Sequence, residues 1–240
     1  TDWGVHLLDM ALWGMNVKGM PNRVVATGGN FAFPDNRAET FDTMQVAYEF
    51  DDYLIHWSNS AIESNRPYGR NYGVEFVGRN GTLVANRESW EIYPANNSVE
   101  AIKRLPDGKD HENHVANFYR CVRQQDAATA CPIDNGALCA KYAHLGNISA
   151  RVGESLVFDD ERKRFNHKAA NELIKPDYRK PWHSRSVEIL WSILLQNLKY
   201  NCIPLLCISN FYIQERNGGR KYAGHHNFCK FHLNIILGPQ

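Results

Sequence analysis

Several features that define well-known protein classes are missing from this sequence of 240 residues. There is no Gly-x-Gly-x-x-Gly run, so the turn that cradles a dinucleotide pyrophosphate is absent from this chain. No Cys-x-x-Cys pair occurs, and six cysteines in this length do not make a disulfide scaffold. His and Cys residues near the end of the chain match no standard zinc spacing, so we predict no metal site.

Excess charge and long apolar runs are also lacking. Lys and Arg number 27 against 26 Asp and Glu, which gives a net charge of +1 and favours neither nucleic acid nor an acidic partner. The largely apolar stretch 187–213 is interrupted by charged side chains such as Glu188 and Lys199, so we predict no membrane span.

The sequence contains hydrophobic residues in alternating and helical patterns, over a length that suits one domain. Strands are predicted first and helices mostly follow them, without βαβ alternation. This order predicts an α+β fold with an open, mostly antiparallel sheet and helices packed on one face. The predicted helices are 2–15, 110–123, 135–152 and 167–174, and the predicted strands are 23–33, 41–50, 53–58, 72–77, 82–85, 90–93 and 156–159. The second helix is predicted to have an apolar stripe of Val115, Phe118, Tyr119 and Val122, and Asp134 is predicted to cap the third.

The first predicted helix is apolar at almost every position, which predicts burial on most sides. Asp2, His6 and Asp9 break this pattern, and their spacings of four and three place them on one helix face. One interpretation is structural: Asp2 caps the helix, and His6 bonds both carboxylates in the core. The other is functional: the carboxylates hold a histidine at the mouth of a cleft for proton transfer near neutral pH.

At this helix the sequence resembles a known family. The run T-D-W-G-V-H-L-L-D-M-A-L-W at residues 1–13 is similar to the segment that opens the C-terminal domain of the Gfo/Idh/MocA oxidoreductases. The Asp-x-x-x-His motif of that family matches Asp2 and His6. Further phrases resemble the same domain at residues 76–83, 114–118, 170–174 and 178–182.

The resemblance implies a function for the intact protein. It implies an NAD(P)-dependent oxidoreductase acting on a sugar, cyclitol or related polyol, with His6 in proton transfer and Asp2 as its partner. The family's cofactor domain, with its Glu-Lys-Pro motif, is not present in this sequence. We therefore predict that this chain is the substrate half, that it binds neither NAD nor NADP on its own, and that it is inactive alone.

The resemblance covers residues 1–183, which we assign to a substrate and oligomerisation domain. Residues 184–240 match nothing and remain an unassigned tail, predicted to be irregular or helical. We expect that removing this tail leaves the rest of the chain folded.

Other polar residues are candidates for substrate binding. The loop 65–72 is rich in groups that bind hydroxyls and stack on sugar rings, although polar loops are also common without a ligand. His114 lies in a predicted helix, where either a cleft role or a solvated position is open. Together with the polar residue on the first helix, the candidate substrate-binding set is Asp9, Arg66, Tyr68, Tyr72 and His114.

A second hypothesis treats the domain as a non-catalytic interaction module. Open sheets pair face to face, so we expect a homo-oligomer through the open sheet face. The expected partner under the first hypothesis is a small carbohydrate or polyol. The sequence leaves the substrate, the choice between NAD and NADP and the compartment open, with the cytoplasm as the default expectation.

Overall fold

The computed structural model describes residues 2–35, 37–61, 67–96, 100, 102–105, 108–175, 178–181 and 230–237. The chain divides into two compact units. The first comprises residues 1–174 and 227–240, and it contains all the helices and strands described below. The second comprises residues 175–226, of which only 175 and 178–181 are described.

Four α-helices and ten β-strands form the described part of the fold. The helices are α1 (Asp2–Gly14), α2 (Asp110–Gln124), α3 (Ile133–Val152) and α4 (Lys168–Glu172). The first strands are β1 (Arg23–Gly29), β2 (Thr43–Glu49), β3 (Tyr53–Ser60), β4 (Tyr72–Gly78) and β5 (Gly81–Ala85). The remaining strands are β6 (Trp90–Pro94), β7 (Ile102–Arg104), β8 (Phe158–Asp159), β9 (Arg164–Phe165) and β10 (Lys230–Leu237). A single 3-10 turn, Pro67–Gly69, precedes β4.

Eight strands form one sheet in the order β1-β2-β3-β10-β4-β5-β6-β7. Every pair is antiparallel except β10 with β4, and β8 and β9 form a separate hairpin. The prediction of an α+β fold with an open, mostly antiparallel sheet is confirmed.

β10 lies at the centre of the sheet, which corrects the prediction for the tail. It pairs antiparallel with β3, Ile235 facing Ile55, and parallel with β4, Ile235 facing Phe76. The expectation of an irregular or helical tail is therefore wrong at residues 230–237. Because β3 and β4 do not pair directly, removing β10 would leave two strand edges without partners. The structure thus argues against the expectation that the tail can be removed without consequence.

The core lies between one face of this sheet and the two longest described helices that contact it. α3 packs over β1 and β2, and α1 packs over β10 and β4. The strands alternate as the sequence predicts, with Val24, Val46 and Ile55 buried between exposed or half-buried neighbours. Leu7, Leu8, Ala11 and Leu12 of α1 complete this cluster.

α3 sits close to the sheet because Gly146 has no side chain. A Cβ atom there would lie 3.0 Å from the Tyr48 hydroxyl and 3.1 Å from a Val46 methyl group. The Tyr48 hydroxyl donates to the Tyr142 carbonyl at 2.7 Å, and the Ser149 hydroxyl accepts from the Ala26 amide at 3.0 Å. These bonds fix α3 against β1 and β2.

Two expectations about helix burial are wrong. α1 is not buried on most sides, since Asp2, His6, Asp9 and Trp13 are all exposed along one face. In α2 the predicted apolar stripe is uncovered, and Phe118 is 56 % exposed. α3 begins at Ile133, so Asp134 lies in its first turn rather than at the cap.

Candidate functional site

The N-terminal half of α1 meets one end of the sheet, and an aromatic residue links the two. The Trp3 ring lies 6.0 Å from the His6 ring and 5.1 Å from the Tyr72 ring of β4, measured between centroids. The Arg87 guanidinium lies 5.9 Å from the centroid of the Trp3 ring, a cation–π distance. Two of the predicted site residues, His6 and Tyr72, are thus held on either side of Trp3.

His6 itself points toward solvent rather than into the core. Its side chain is exposed, as are those of Asp2 and Asp9. Within the described residues no hydrogen bond joins His6 to either carboxylate. The hypothesis of a buried histidine bonded to both carboxylates is therefore wrong. Because this face of the helix is exposed, ionisable groups on it do not by themselves indicate a function.

Asp2 borders a cavity of about 200 Å³ beneath the start of α1. Its walls come from α1, β2, β3 and α3, and they include Gly4, Tyr48, Trp57 and Asn147. Gly4 contributes space here, since a Cβ atom would stand 3.7 Å from the Trp57 ring. His6 does not line this cavity, so Asp2 and His6 face different surroundings.

Asp42 forms part of the same wall and fixes the loop after β1. Its carboxylate accepts from the backbone amides of Phe31, Ala32 and Phe33 at 3.0, 3.1 and 2.9 Å, and from the Thr43 hydroxyl at 3.0 Å. Desolvation alone would raise the pKa of Asp42, but these donors together outweigh it and hold the pKa below its ordinary value. Asp42 therefore serves to shape the loop, and its carboxylate already has its donors.

Asp9 faces α3 and not the surface formed by Trp3, His6 and Tyr72, which we call the Trp3 surface. The Cys139 thiol donates to the Asp9 carboxylate at 3.3 Å. Burial, reinforced by Asp9, raises the pKa of Cys139 to about 12. The structure therefore gives Asp9 a contact between helices, which the sequence did not indicate.

A polar pocket of about 310 Å³ lies at the same end of the sheet, and we call it the Arg70 pocket. It is built from the segment that leads into β4, the turn between β5 and β6, and the edge of β6 and β7. Its lining residues are Tyr68, Gly69, Arg70, Asn71, Tyr72, Asn86, Glu88, Ser89, Glu91 and Lys103. The predicted substrate-binding residues Tyr68 and Tyr72 are both among them.

Tyr72 connects the Arg70 pocket with the surface around His6. Its ring packs on Trp3, and its hydroxyl donates to the Glu88 carboxylate at 2.9 Å. Desolvation, together with Glu88, raises the pKa of Tyr72. The hydroxyl therefore stays protonated at neutral pH and remains a donor.

His114, one of the other two predicted binding residues, is not brought into this site. His114 is exposed on α2, and no described ring contact, ion pair or hydrogen bond ties it to α1 or β4. Arg66 lies outside the described residues.

Sequence analysis missed Trp3, Arg87 and Glu88 as members of this site. Trp3 stands inside the motif but was counted as core, because an apolar residue carries no sign of what it will contact. Arg87 and Glu88 belong to the turn between β5 and β6, and only the pairing of those strands with β4 brings them near Trp3.

The described residues do not contain the strand–turn–helix unit that typically binds a dinucleotide. Their only parallel strand pair is β10 with β4, and no glycine-rich turn joins a strand to a helix within them. No group of three or more His, Cys, Asp or Glu side chains in the described ranges is arranged to hold a metal ion. None of the described helices is both long and apolar enough to cross a membrane.

Comparison with known proteins identifies the fold's relatives. Residues 70–184 match the profile of the Gfo/Idh/MocA group described as "Oxidoreductase family, C-terminal alpha/beta domain". No curated protein matches the chain.

Two solved structures are also similar to part of this chain. One is yvaA from Bacillus subtilis, assigned as an oxidoreductase, with 12 % identity and a TM-score of 0.39; the match covers 66 % of this chain and 51 % of that one. The other is a protein from Bacteroides fragilis with the same assignment, with 14 % identity, a TM-score of 0.35, and coverage of 65 % and 52 %. The chain thus spans about half the length of these two proteins.

The profile match includes β4 to β7, α2, α3 and α4, and it borders the surface formed by Trp3, His6 and Tyr72. It supports an oxidoreductase role in general terms and confirms the resemblance for residues 70–184, whereas residues 1–69, with Asp2 and His6, lie outside the match. The match at residues 70–184, just under half of the chain, is consistent with a C-terminal domain of the Gfo/Idh/MocA oxidoreductase family.

Proposed function

We propose that this chain is the substrate half of an NAD(P)-dependent oxidoreductase that acts on a sugar, cyclitol or related polyol. The observation that carries the proposal is the placement of His6. Its imidazole is exposed beside Trp3 and Tyr72, and Tyr72 also lines the Arg70 pocket. Aromatic rings next to hydroxyl donors and carboxylates are the surroundings that polyhydroxylated ligands favour.

In this proposal His6 moves the proton of a substrate hydroxyl. Imidazole is the side chain that takes and gives up a proton near neutral pH, and exposure lets a substrate reach it. Asp2 lies one turn earlier on α1, about 6 Å away between Cβ atoms. In this proposal Asp2 is the neighbouring carboxylate of His6 on the helix, without a direct hydrogen bond between them. Trp3 and Tyr72 form one wall against which the substrate ring lies.

We assign the cofactor to another part of the protein, because no glycine-rich turn joins a strand to a helix within the described residues. In the proposed arrangement a dinucleotide-binding half supplies NAD or NADP, and this chain supplies the substrate surface. The chain alone then has the capacity to bind a polyol but not to oxidise it.

The test compares His6 with a second exposed histidine on a helix. His144 of α3 is the matched control, because it is exposed and lies outside the Trp3 surface. With a dinucleotide-binding half of the family placed before residue 1, we expect His6→Asn to lower kcat by about 10²- to 10⁴-fold. His144→Asn should leave kcat unchanged. Equal loss in both variants, or none in His6→Asn, contradicts the assignment.

A readout on the chain alone complements the kinetics. Titration with myo-inositol should shift the imidazole NMR signals of His6 and leave those of His144 in place. Shifts of equal size at both residues would indicate a non-specific effect and count against the site.

The interaction module remains a second candidate because the sheet face away from α1 and α3 is partly uncovered. Val25 of β1 is 48 % exposed and Leu54 of β3 is 40 % exposed, and both lie on this face. We propose that a second copy of the chain packs against it. Sedimentation should show a dimer that Leu54→Glu converts to a monomer, and an unchanged sedimentation profile would exclude this face.

A further inference from the structure

The Arg70 pocket contains a buried cation that the proposed proton transfer does not use. Arg70 is 8 % exposed, so its guanidinium is largely removed from water. Its Nε–H is buried and finds no acceptor among the described residues. A buried donor without a partner is uncommon and calls for an explanation, of which a bound water, ion or ligand is one.

Three of the four other N–H groups of the guanidinium already have partners, which limits the ligand that Arg70 can take. Nη1 donates to the Asn86 side chain at 2.7 Å and to the Ser89 carbonyl at 3.1 Å, and Nη2 faces the Glu91 carboxylate at 3.4 Å. A carboxylate or phosphate is normally held by two parallel N–H groups of one arginine. Nε–H and one Nη2–H remain, and the Glu91 carboxylate already stands beside Nη2, so a second anion at this fork would meet its negative charge.

The charges around the pocket point the same way. Arg70 and Lys103 are balanced by Glu88 and Glu91, so the lining has no excess positive charge to attract an anion. Hydrogen bonds from Lys103 and Tyr93 hold the pKa of Glu91 below its ordinary value, so this carboxylate stays charged at neutral pH. Glu88 and Ser89 add oxygen atoms that accept hydrogen bonds from ligand hydroxyl groups. The pocket therefore offers both donors and acceptors to a neutral ligand.

Tyr68 provides an aromatic surface at the rim. Its ring rests on Tyr93 at 4.9 Å between centroids and is 45 % exposed. Its backbone has a φ of 53°, a left-handed conformation that is rare for a bulky residue. This turn sets the direction of the ring, and such strain commonly occurs at ligand clamps.

We propose that the Arg70 pocket binds a neutral, hydroxyl-rich ring, namely the second ring of a glycoside whose reacting ring lies at His6. Tyr72 is shared by both places, since its ring touches Trp3 and its hydroxyl bonds Glu88. The assignment of the reacting ring to His6 rests on the proposed function. A pocket of about 310 Å³ is within the range of sites for small ligands.

The test is a calorimetric titration of this chain with maltose and cellobiose, compared with glucose, myo-inositol and inorganic phosphate. We expect at least one disaccharide to bind about tenfold more tightly than either single ring. Tyr68→Ala should weaken that binding about tenfold, since a stacking surface is lost. Tyr119→Ala is the matched control, because Tyr119 is 59 % exposed but lies on α2.

Three results would overturn the proposal: no disaccharide binds more tightly than glucose, Tyr68→Ala leaves the affinity unchanged, or phosphate binds best. His6→Asn separates this proposal from the proposed function. It should change disaccharide affinity by less than about threefold while it lowers turnover in the two-half enzyme. If the pocket assignment is wrong, the disaccharide affinity of Tyr68→Ala will be unchanged. If the proton-transfer assignment is wrong, the turnover of His6→Asn will be unchanged.

Discussion

The sheet has two halves on either side of β10, β1–β3 (the first side) and β4–β7 (the second side), and the helices cover them to different extents. On the first side Val24, Val46 and Ile55 are at most 1 % exposed beneath the helices. On the second side burial decreases toward the edge, since β6 is half-buried at every position and β7 is exposed throughout. The first side carries the packing of the domain, and the second side carries the polar groups of the Arg70 pocket.

This difference explains how α1 contributes both to the core and to the candidate site. Its inward face is part of the core, while Asp2, His6 and Trp3 lie where the helix reaches β4 and the turn after β5. A rigid helix on a packed support holds functional side chains more accurately than a loop does. The comparison therefore predicts different costs for changes on the two sides.

The largest effect is expected at β10, which joins the two sides. Ile235→Pro removes a ladder hydrogen bond donor in the middle of the sheet, and we expect a loss of about 3 kcal/mol or more. Ile102→Pro is the control, since Ile102 begins the edge strand β7 and is 52 % exposed. Chemical denaturation measures both. Equal stability of the two variants would show that β10 does not unite the sheet.

A smaller effect separates the two sides themselves. Ile55→Ala opens a cavity at a fully buried position of β3, and we expect a loss of about 2–5 kcal/mol in the free energy of unfolding. Ile92→Ala of β6 removes a half-buried side chain and should cost about 1 kcal/mol. A larger loss at Ile92 in urea unfolding would reverse the comparison.

The smallest effect concerns a thiol beneath α1. Cys139 has a pKa raised to about 12 by burial and Asp9, above the ordinary 9.0 of cysteine. Below about pH 9 both folded and unfolded forms keep this proton, so the thiol favours folding there; this contribution is lost as the pH rises toward 12. At a pH of about 8 Cys139 should react with iodoacetamide far more slowly than Cys131, which is exposed. Peptide mapping that finds equal rates would show that α1 does not cover α3 at this point.

The sequence was most informative where local patterns decide the structure. The alternation at residues 43–49 predicted β2, and helical spacing predicted α2 and α3 within two residues at each end. β7 was missed because three exposed residues carry no periodic signal. β10 was missed although Phe231, Leu233 and Ile235 alternate with polar residues, because its partners are more than 150 residues away in the chain.

The candidate site was predictable only in part. The spacing of Asp2, His6 and Asp9 placed them on one face, which is confirmed, but it did not show that this face is exposed. Tyr68 and Tyr72 were found from loop composition. Arg70 lay in the same run, yet only the hydrogen bonds to Asn86 and Ser89 reveal that its guanidinium is fixed, with the Nε–H left without an acceptor among the described residues.

The central claim is that the two faces of α1 have separate tasks, and adjacent residues test it. Leu7 is 1 % exposed in the core, whereas His6 is exposed beside Trp3. Leu7→Ala should cost about 2–5 kcal/mol and lower the Tm, whereas His6→Asn should leave the Tm nearly unchanged. In the enzyme with both halves, His6→Asn should abolish most of the turnover, while Leu7→Ala should retain it below its own Tm. Measuring Tm and kcat for both variants decides the matter: a large fall in Tm with normal turnover in His6→Asn would contradict the account.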